Sequence, residues 1–234
     1  MIAMNQKNDF VLLLAGNGTR IYSDIHMKKQ FYPLLGKELF LYPLETALES
    51  GFFSSVVLVV DSEDISTVRA IVEQKIKTEI SITYVAGGRD RNESVFHGLK
   101  SLLPDSEDEV VYIHDAARVL LSRDLLFRLN QAMKDHDALT AAIPVHDSLL
   151  RETEIGIEYI PRDGMFQIQT PQVFRLRKIL SIYEKGYDSN DTDDFRKAVK
   201  ANLSCAVVRG ESDLFKVTEI DDLRLLESIL RGKE

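Results

Sequence analysis

Leu12 to Phe31 reads LLLAGNGTRIYSDIHMKKQF. It opens as an apolar strand and passes within a few residues into glycine and asparagine, then into Arg20, Lys28 and Lys29. Glycines at 16 and 18 let the backbone approach a ligand closely and aim successive N–H groups at one anion, while the cations supply charge further on. The stretch therefore reads as a polyphosphate cradle. It is not a P-loop, because no Gly-Lys-Ser/Thr follows, and not the dinucleotide fingerprint, because the third glycine is missing. A tight strand-to-loop turn with solvated lysines fits these residues taken alone just as well.

The runs FVLLLA, SVVLVV, ISITYVA, VVYIHD, ALTAAIPV and CAVVRG recur along the chain. Amphipathic stretches lie between them, such as DISTVRAIVEQKI, RNESVFHGLKSLL and RDLLFRLNQAMKDH. Continuous apolar strands separated by helices predict an α/β fold, with a doubly wound, mostly parallel sheet covered on both faces. No compositional shift marks a linker, so one domain over residues 1–234 is expected. Residues 145–174 break the pattern with two extended stretches, HDSLLRE and GIEYIPRDGMFQIQT, and a glycine turn near Gly156. They predict a β-hairpin arm. Two strands alone are marginal in water, so a second copy of the chain is the simplest cover, and a homodimer is expected.

With 44% hydrophobic and 28% charged residues and six prolines, the chain is neither disordered nor fibrous. Its 29 Lys and Arg against 37 Asp and Glu give a net charge of −8. That balance argues against a general surface that grips nucleic acid or an anionic membrane, so any anion must be held locally. The lone Cys205, in LSCAVV, reads as a buried strand position. FVLLLA is too short for a signal segment or a membrane span, which predicts a cytoplasmic protein.

In such sheets ligands bind beyond the carboxyl ends of the strands. There the sequence places Gly16-Asn17-Gly18-Thr19-Arg20, then GGRDRNESV, then HDAARV. In the second loop Arg91 and Ser94 open a helix whose free amides favour an anion or the polar edge of a base. Ordinary capping by Asp90 or Asn92, with the arginines in water, is the alternative. In the third, Asp115 can order a hydroxyl or a metal ion, and Arg118 can take a phosphate. An Asp115–Arg118 ion pair is the alternative there, and His114 reads as a packed strand-end residue.

These loops occur in one order with KKQFYPLLGKELF, PVHDS, PRDGMFQIQTPQVF, DTDD and FKVTEIDDL. Together they resemble the cytidylyltransferases that make CDP-activated sugar alcohols, most of all the 2-C-methyl-D-erythritol 4-phosphate cytidylyltransferase family. The resemblance covers nearly the whole chain. It implies a Rossmann-like nucleotidyltransferase fold, a CTP and polyol phosphate reaction releasing pyrophosphate, and Mg2+ bound mainly through the substrate phosphates, with its protein ligands unknown. It implies that Arg20 and Lys29 are catalytic. By the same resemblance Leu14, Ala15, Gly16, Gly18, Gly88, Arg91, Ser94 and Ala116 hold the nucleotide. Asp115, Arg118, Thr170, Thr192 and Lys216 match contacts to the acceptor, joined by Ser148 and Arg162 from the arm of a second copy.

The chain departs from the family pattern at Leu14 (usually alanine), Lys28 and Val119 (proline) and Ser148 (threonine). Leu214-Phe215 likewise stand where Asn-Ile is usual. None removes a charged group, although Leu14 could narrow or shift the nucleotide pocket. Ribitol 5-phosphate cytidylyltransferase is the nearest alternative, and a non-catalytic nucleotide-binding dimeric scaffold is the second.

Overall fold

The computed structural model describes residues 7–16, 25, 27–102, 104, 106–188 and 190–232. In it the first apolar run becomes β1 (Asn8–Leu13), buried along its whole length. Successive strand side chains point to opposite faces, so a strand can be apolar throughout only when both faces are covered. Both are: Phe10 and Leu12 pack to one side, Val11 and Leu13 to the other.

The chain continues through β2 (Pro33–Leu34), β3 (Lys37–Glu38), α1 (Leu41–Ser50), β4 (Ser55–Val60) and α2 (Ile65–Lys75). Then come β5 (Ser81–Ala86), α3 (Arg91–Lys100), β6 (Val110–Asp115), α4 (Arg123–Ala132) and β7 (Ala138–Pro144). After β8 (Leu149–Thr153), β9 (Gly156–Ile160) and β10 (Phe166–Arg175) it ends with α5 (Leu176–Glu184), α6 (Asp194–Lys200), β11 (Cys205–Arg209) and α7 (Ile220–Arg231). Seven strands form one sheet in the order β11-β7-β10-β6-β1-β4-β5. Within it β10 runs antiparallel to both neighbours, β6 and β7, and the other pairs are parallel.

Leu44 of α1, Val68 of α2 and Leu129 of α4 pack on one face; Val95 of α3, Ile179 of α5 and Ala198 of α6 pack on the other. Each fully buried leucine, valine or isoleucine among them contributes about 1.5–3 kcal/mol, so the two layers outweigh the helix caps. The doubly wound expectation holds. No helix among the described residues is long and apolar enough to cross a membrane.

The hairpin is shorter than 145–174. Within that segment β8 and β9 alone pair as a two-stranded unit, from Leu149 with Ile160 to Thr153 with Gly156. Phe166–Arg175 instead enters the main sheet, because Val173 and Phe174 are wholly buried between β6 and β7. Local extension looks alike in a hairpin and in an antiparallel sheet strand; burial separates them. Leu150, Ile155, Ile157 and Tyr159 on the hairpin stay exposed.

From β1 the sheet grows toward β4 on one side and toward β6 on the other. The crevice outside the carboxyl ends of β1 and β6 is thus the switch point, where open α/β sheets bind ligands.

Candidate active site

A cavity of about 300 Å³ opens at this crevice. One wall is the chain leaving β1, from Leu13 to Gly16. The N–H groups of Leu14 and Ala15 both donate to the Val59 carbonyl, at 2.8 and 2.9 Å, which bends the chain at the strand end. Leu14 directs its side chain into the core beside the Phe10 and Leu12 cluster, with 2% exposure, so its extra bulk over alanine is absorbed there. Gln30 braces this wall by donating from Nε2 to the Leu14 carbonyl at 2.8 Å.

Lys29 begins a short 3-10 turn and lines the cavity, its Nζ donating to the Val217 carbonyl at 2.7 Å. Its neighbour behaves differently. Lys28 lies 2.9, 2.8 and 2.6 Å from carboxylates of Asp61, Glu63 and Asp64, and is not part of the cavity wall. Burial alone would lower its pKa, but the three acids reverse that and hold it above the usual lysine range. The charge expected there for a polyphosphate is committed to the end of β4 instead. Arg20 and Gly18 lie outside the described residues.

The opposite wall is the end of β6. Asp115, Ala116 and Ala117 line it. The Asp115 carboxylate accepts from Lys216 Nζ at 2.8 Å and from Arg91 Nε at 3.2 Å. Burial favours its protonated form, yet the charges of Arg91 and Lys216 prevail and hold it far below the usual carboxylate range. Arg91 is anchored from behind: its Nη1 donates to Asp194 at 2.8 Å, and the Tyr183 hydroxyl donates to that same buried carboxylate. Burial opposes the charge on Arg91, and Asp194 with Asp115 restores it. The DTDD motif thus acts through Asp194, which sequence reasoning left without a role.

The second loop meets the first directly. A Cβ on Gly87 would stand 2.6 Å from Ala15 Cβ, so only glycine permits this approach. Gly88 donates its N–H to Ser94 Oγ at 3.0 Å, and Ser94 donates to the Asp90 carbonyl at 2.8 Å. Gly88 and Ser94 therefore stand behind Ala15 rather than on the cavity surface. Asp90 caps α3, as the capping alternative expects, but Arg91 lines the cavity instead of facing water.

Arg118 forms no ion pair with Asp115 within 4.0 Å among the described residues; its guanidinium donates to the carbonyls of Leu214 at 3.0 Å and Ile168 at 3.1 Å. Burial lowers its pKa. Thr170 is buried, and its Oγ1 accepts the Asp115 N–H at 3.1 Å. Ser148, Arg162 and Thr192 are exposed and are not brought to the cavity within one chain. Arg162 rests on the His146 carbonyl at the root of the hairpin.

A larger hollow of about 1110 Å³, walled by Tyr42, His146, Phe166 and Arg209 among others, contains none of the expected site residues. Expected site residues gather at the smaller cavity. Its walls hold Lys29, Arg91 and Lys216 against one carboxylate, Asp115, a local excess of two positive charges in a chain of net charge −8.

A doubly wound sheet with a glycine-permitted loop contact and clustered cations at its switch point defines an α/β protein of the nucleotidyltransferase-like class. The sequence model of the 2-C-methyl-D-erythritol 4-phosphate cytidylyltransferases matches residues 9–232. The chain belongs to that family. It is 32% identical to the 2-C-methyl-D-erythritol 4-phosphate cytidylyltransferase of Thermotoga neapolitana over 227 residues, 97% of this chain and 98% of the relative. It is 36% identical to that of Nitrosomonas eutropha over 232 residues, 96% and 97% of the two. The crystal structure of 4-diphosphocytidyl-2C-methyl-D-erythritol synthase from Anaerococcus prevotii superposes with a TM-score of 0.83 at 27% identity, covering 97% of this chain and 99% of that one.

Proposed function

We propose that the protein transfers the cytidylyl group of CTP to 2-C-methyl-D-erythritol 4-phosphate, giving 4-diphosphocytidyl-2-C-methyl-D-erythritol and pyrophosphate, a step of non-mevalonate isoprenoid biosynthesis. The observation that carries this reading is the cluster of Lys29, Arg91 and Lys216 around Asp115 at the switch point of a chain in this family. An acceptor phosphate oxygen attacks the α-phosphorus of CTP, and the bond to the bridging oxygen of the departing pyrophosphate breaks. The nucleophile is already an anion, so no side chain has to remove a proton. Catalysis reduces to bringing two anions together and neutralising the charge between them.

In this reading Lys29 leaves the Val217 carbonyl to meet the α-phosphate, with Arg20 as its companion. The backbone from Leu14 to Gly16, with Gly18, cradles the nucleotide beside Ala116 and the Gly88, Arg91 and Ser94 loop. Asp115, Arg118, Thr170 and Lys216 address the acceptor, whereas Thr192, exposed and away from the cavity, does not reach it within one chain. Ser148 and Arg162 reach it from a second copy, whose contact would also cover the exposed apolar side chains of the hairpin, so the working unit is a homodimer. The reaction is assigned to the cytoplasm.

Mg2+ belongs to the same reading, carried mainly by the substrate phosphates. The residues fit that arrangement. Asp115 is the single carboxylate among the described residues lining the cavity, with both oxygens engaged, and no cluster of three or more His, Cys, Asp or Glu able to hold a metal occurs among them. Bound there, the ion would offset phosphate charge.

Pyrophosphate release from CTP and Mg2+ tests the reading. Turnover with 2-C-methyl-D-erythritol 4-phosphate well above that with ribitol 5-phosphate is expected. The reverse preference assigns the chain to CDP-ribitol synthesis, and silence with both acceptors leaves a scaffold.

A further inference from the structure

His114, next to last in β6, is wholly buried, and both its ring nitrogens have partners. Nε2 lies 3.0 Å from the Arg118 carbonyl oxygen and Nδ1 lies 3.0 Å from Thr170 Oγ1. A carbonyl oxygen only accepts, so Nε2 carries a proton. Burial brings the pKa of the ring down to about 4, so near neutral pH that is its one N–H proton and Nδ1 is an acceptor. The Thr170 hydroxyl must then donate to Nδ1, while its oxygen accepts the Asp115 N–H at 3.1 Å.

The Arg118 N–H donates back to the Asp115 carbonyl at 2.9 Å, closing the turn 115–118. Donation therefore runs in a closed ring: Asp115 N–H to Thr170, Thr170 O–H to His114, His114 N–H to Arg118, Arg118 N–H to Asp115. Every donor in the ring is satisfied by direction as well as by distance.

We infer that His114 is a positioning residue for the acceptor subsite: with Thr170 it fixes the turn that aims Asp115 and Arg118, and it commits the Thr170 hydroxyl proton inward. This inference rests on the cytidylyl-transfer reading above.

The test is a double-mutant cycle with His114→Phe and Thr170→Val, with His114→Asn as a variant that restores an acceptor near Nδ1. KM and kcat are measured for 2-C-methyl-D-erythritol 4-phosphate and for CTP. Each single change is expected to raise the acceptor KM about tenfold, the scale of one lost hydrogen bond. kcat and the CTP KM stay within about twofold, the double variant is little worse than either single, and His114→Asn recovers part of the loss. Additive losses, or equal losses for both substrates, overturn the inference. Histidine nitrogen NMR on the unmodified protein reads the ring without turnover: an Nε2–H tautomer is expected, and an Nδ1–H tautomer overturns the ring even if every variant misfolds. If the wild type shows that tautomer but transfers no cytidylyl group, the functional reading fails while the ring stands.

Discussion

Asp115 is where the charges of the site meet, and its two partners are held differently. Arg91 is fixed from behind by Asp194, whereas Lys216 is attached to Asp115 at 39% side-chain exposure and can swing to a ligand. Lys29 rests on a backbone carbonyl, with which a phosphate would compete for it in the proposed reaction. In that reaction the charge of Lys29 matters most when charge builds on the α-phosphorus. Lys29→Ala should therefore lower kcat by at least about 100-fold while the CTP KM moves only a few-fold, as steady-state kinetics will read; equal losses in both contradict that role. His114 gives a second residue-level prediction. Its folded pKa of about 4 lies below the ordinary 6.5, so as pH falls the unfolded chain takes the proton first. Stability is full above about pH 6.5 and declines toward pH 4 by up to about 3 kcal/mol. Urea unfolding at stepped pH should show that slope in the wild type and a flatter one in His114→Phe. At this scale Arg91 and Asp115 were legible, because each is a charge at a helix start or a strand end; Lys29 was legible only as a cation beyond the first strand, and Lys216 through the family resemblance alone. Asp194 was not legible: it meets Arg91 across 103 residues of chain, with no local pattern to announce it. The fate of Lys28 was hidden for the same reason, since it is set by acids at the end of another strand.

Among the elements, α3 carries the tightest constraint. A Cβ on Gly98 would lie 2.9 Å from both Val11 Cγ1 and Val59 Cγ2, which belong to β1 and β4. Alanine is the better helix former by about 1 kcal/mol, so an exposed site would gain from Gly→Ala. Here overpacking wins. Gly98→Ala should cost a net ~1–2 kcal/mol in urea unfolding, and because α3 also carries Arg91, the CTP KM should rise with it; a stabilised variant would mean that the helix is less closely seated. The six apolar runs read from the sequence all became strands of the main sheet, since continuous hydrophobicity is a local property. β10 was read as part of an arm because strand order and direction are not local. The short hairpin that remains keeps its apolar side chains in water, with Ile157 at 71% and Tyr159 at 75% exposure.

At the scale of the whole molecule, the cations gathered at one cavity oppose a surface that is acidic overall, so an anionic substrate is drawn to that crevice and not to the protein at large. If Arg162 serves the partner's site, two crippled chains should complement each other. Mixing Lys29→Ala with Arg162→Ala protein, after dissociation and reassociation, should restore about a quarter of wild-type activity, because half of randomly paired dimers hold one intact site. No recovery, with mixed dimers shown by mass spectrometry, would mean that each site is built from one chain. Cytidylyl transfer itself is read most directly by 31P NMR of the purified protein with CTP, 2-C-methyl-D-erythritol 4-phosphate and Mg2+. The proposed reaction predicts loss of the triphosphate and monoester signals and equal growth of pyrophosphate and of a diphosphate diester. A spectrum that does not change, or one that changes only when ribitol 5-phosphate is the acceptor, would contradict it.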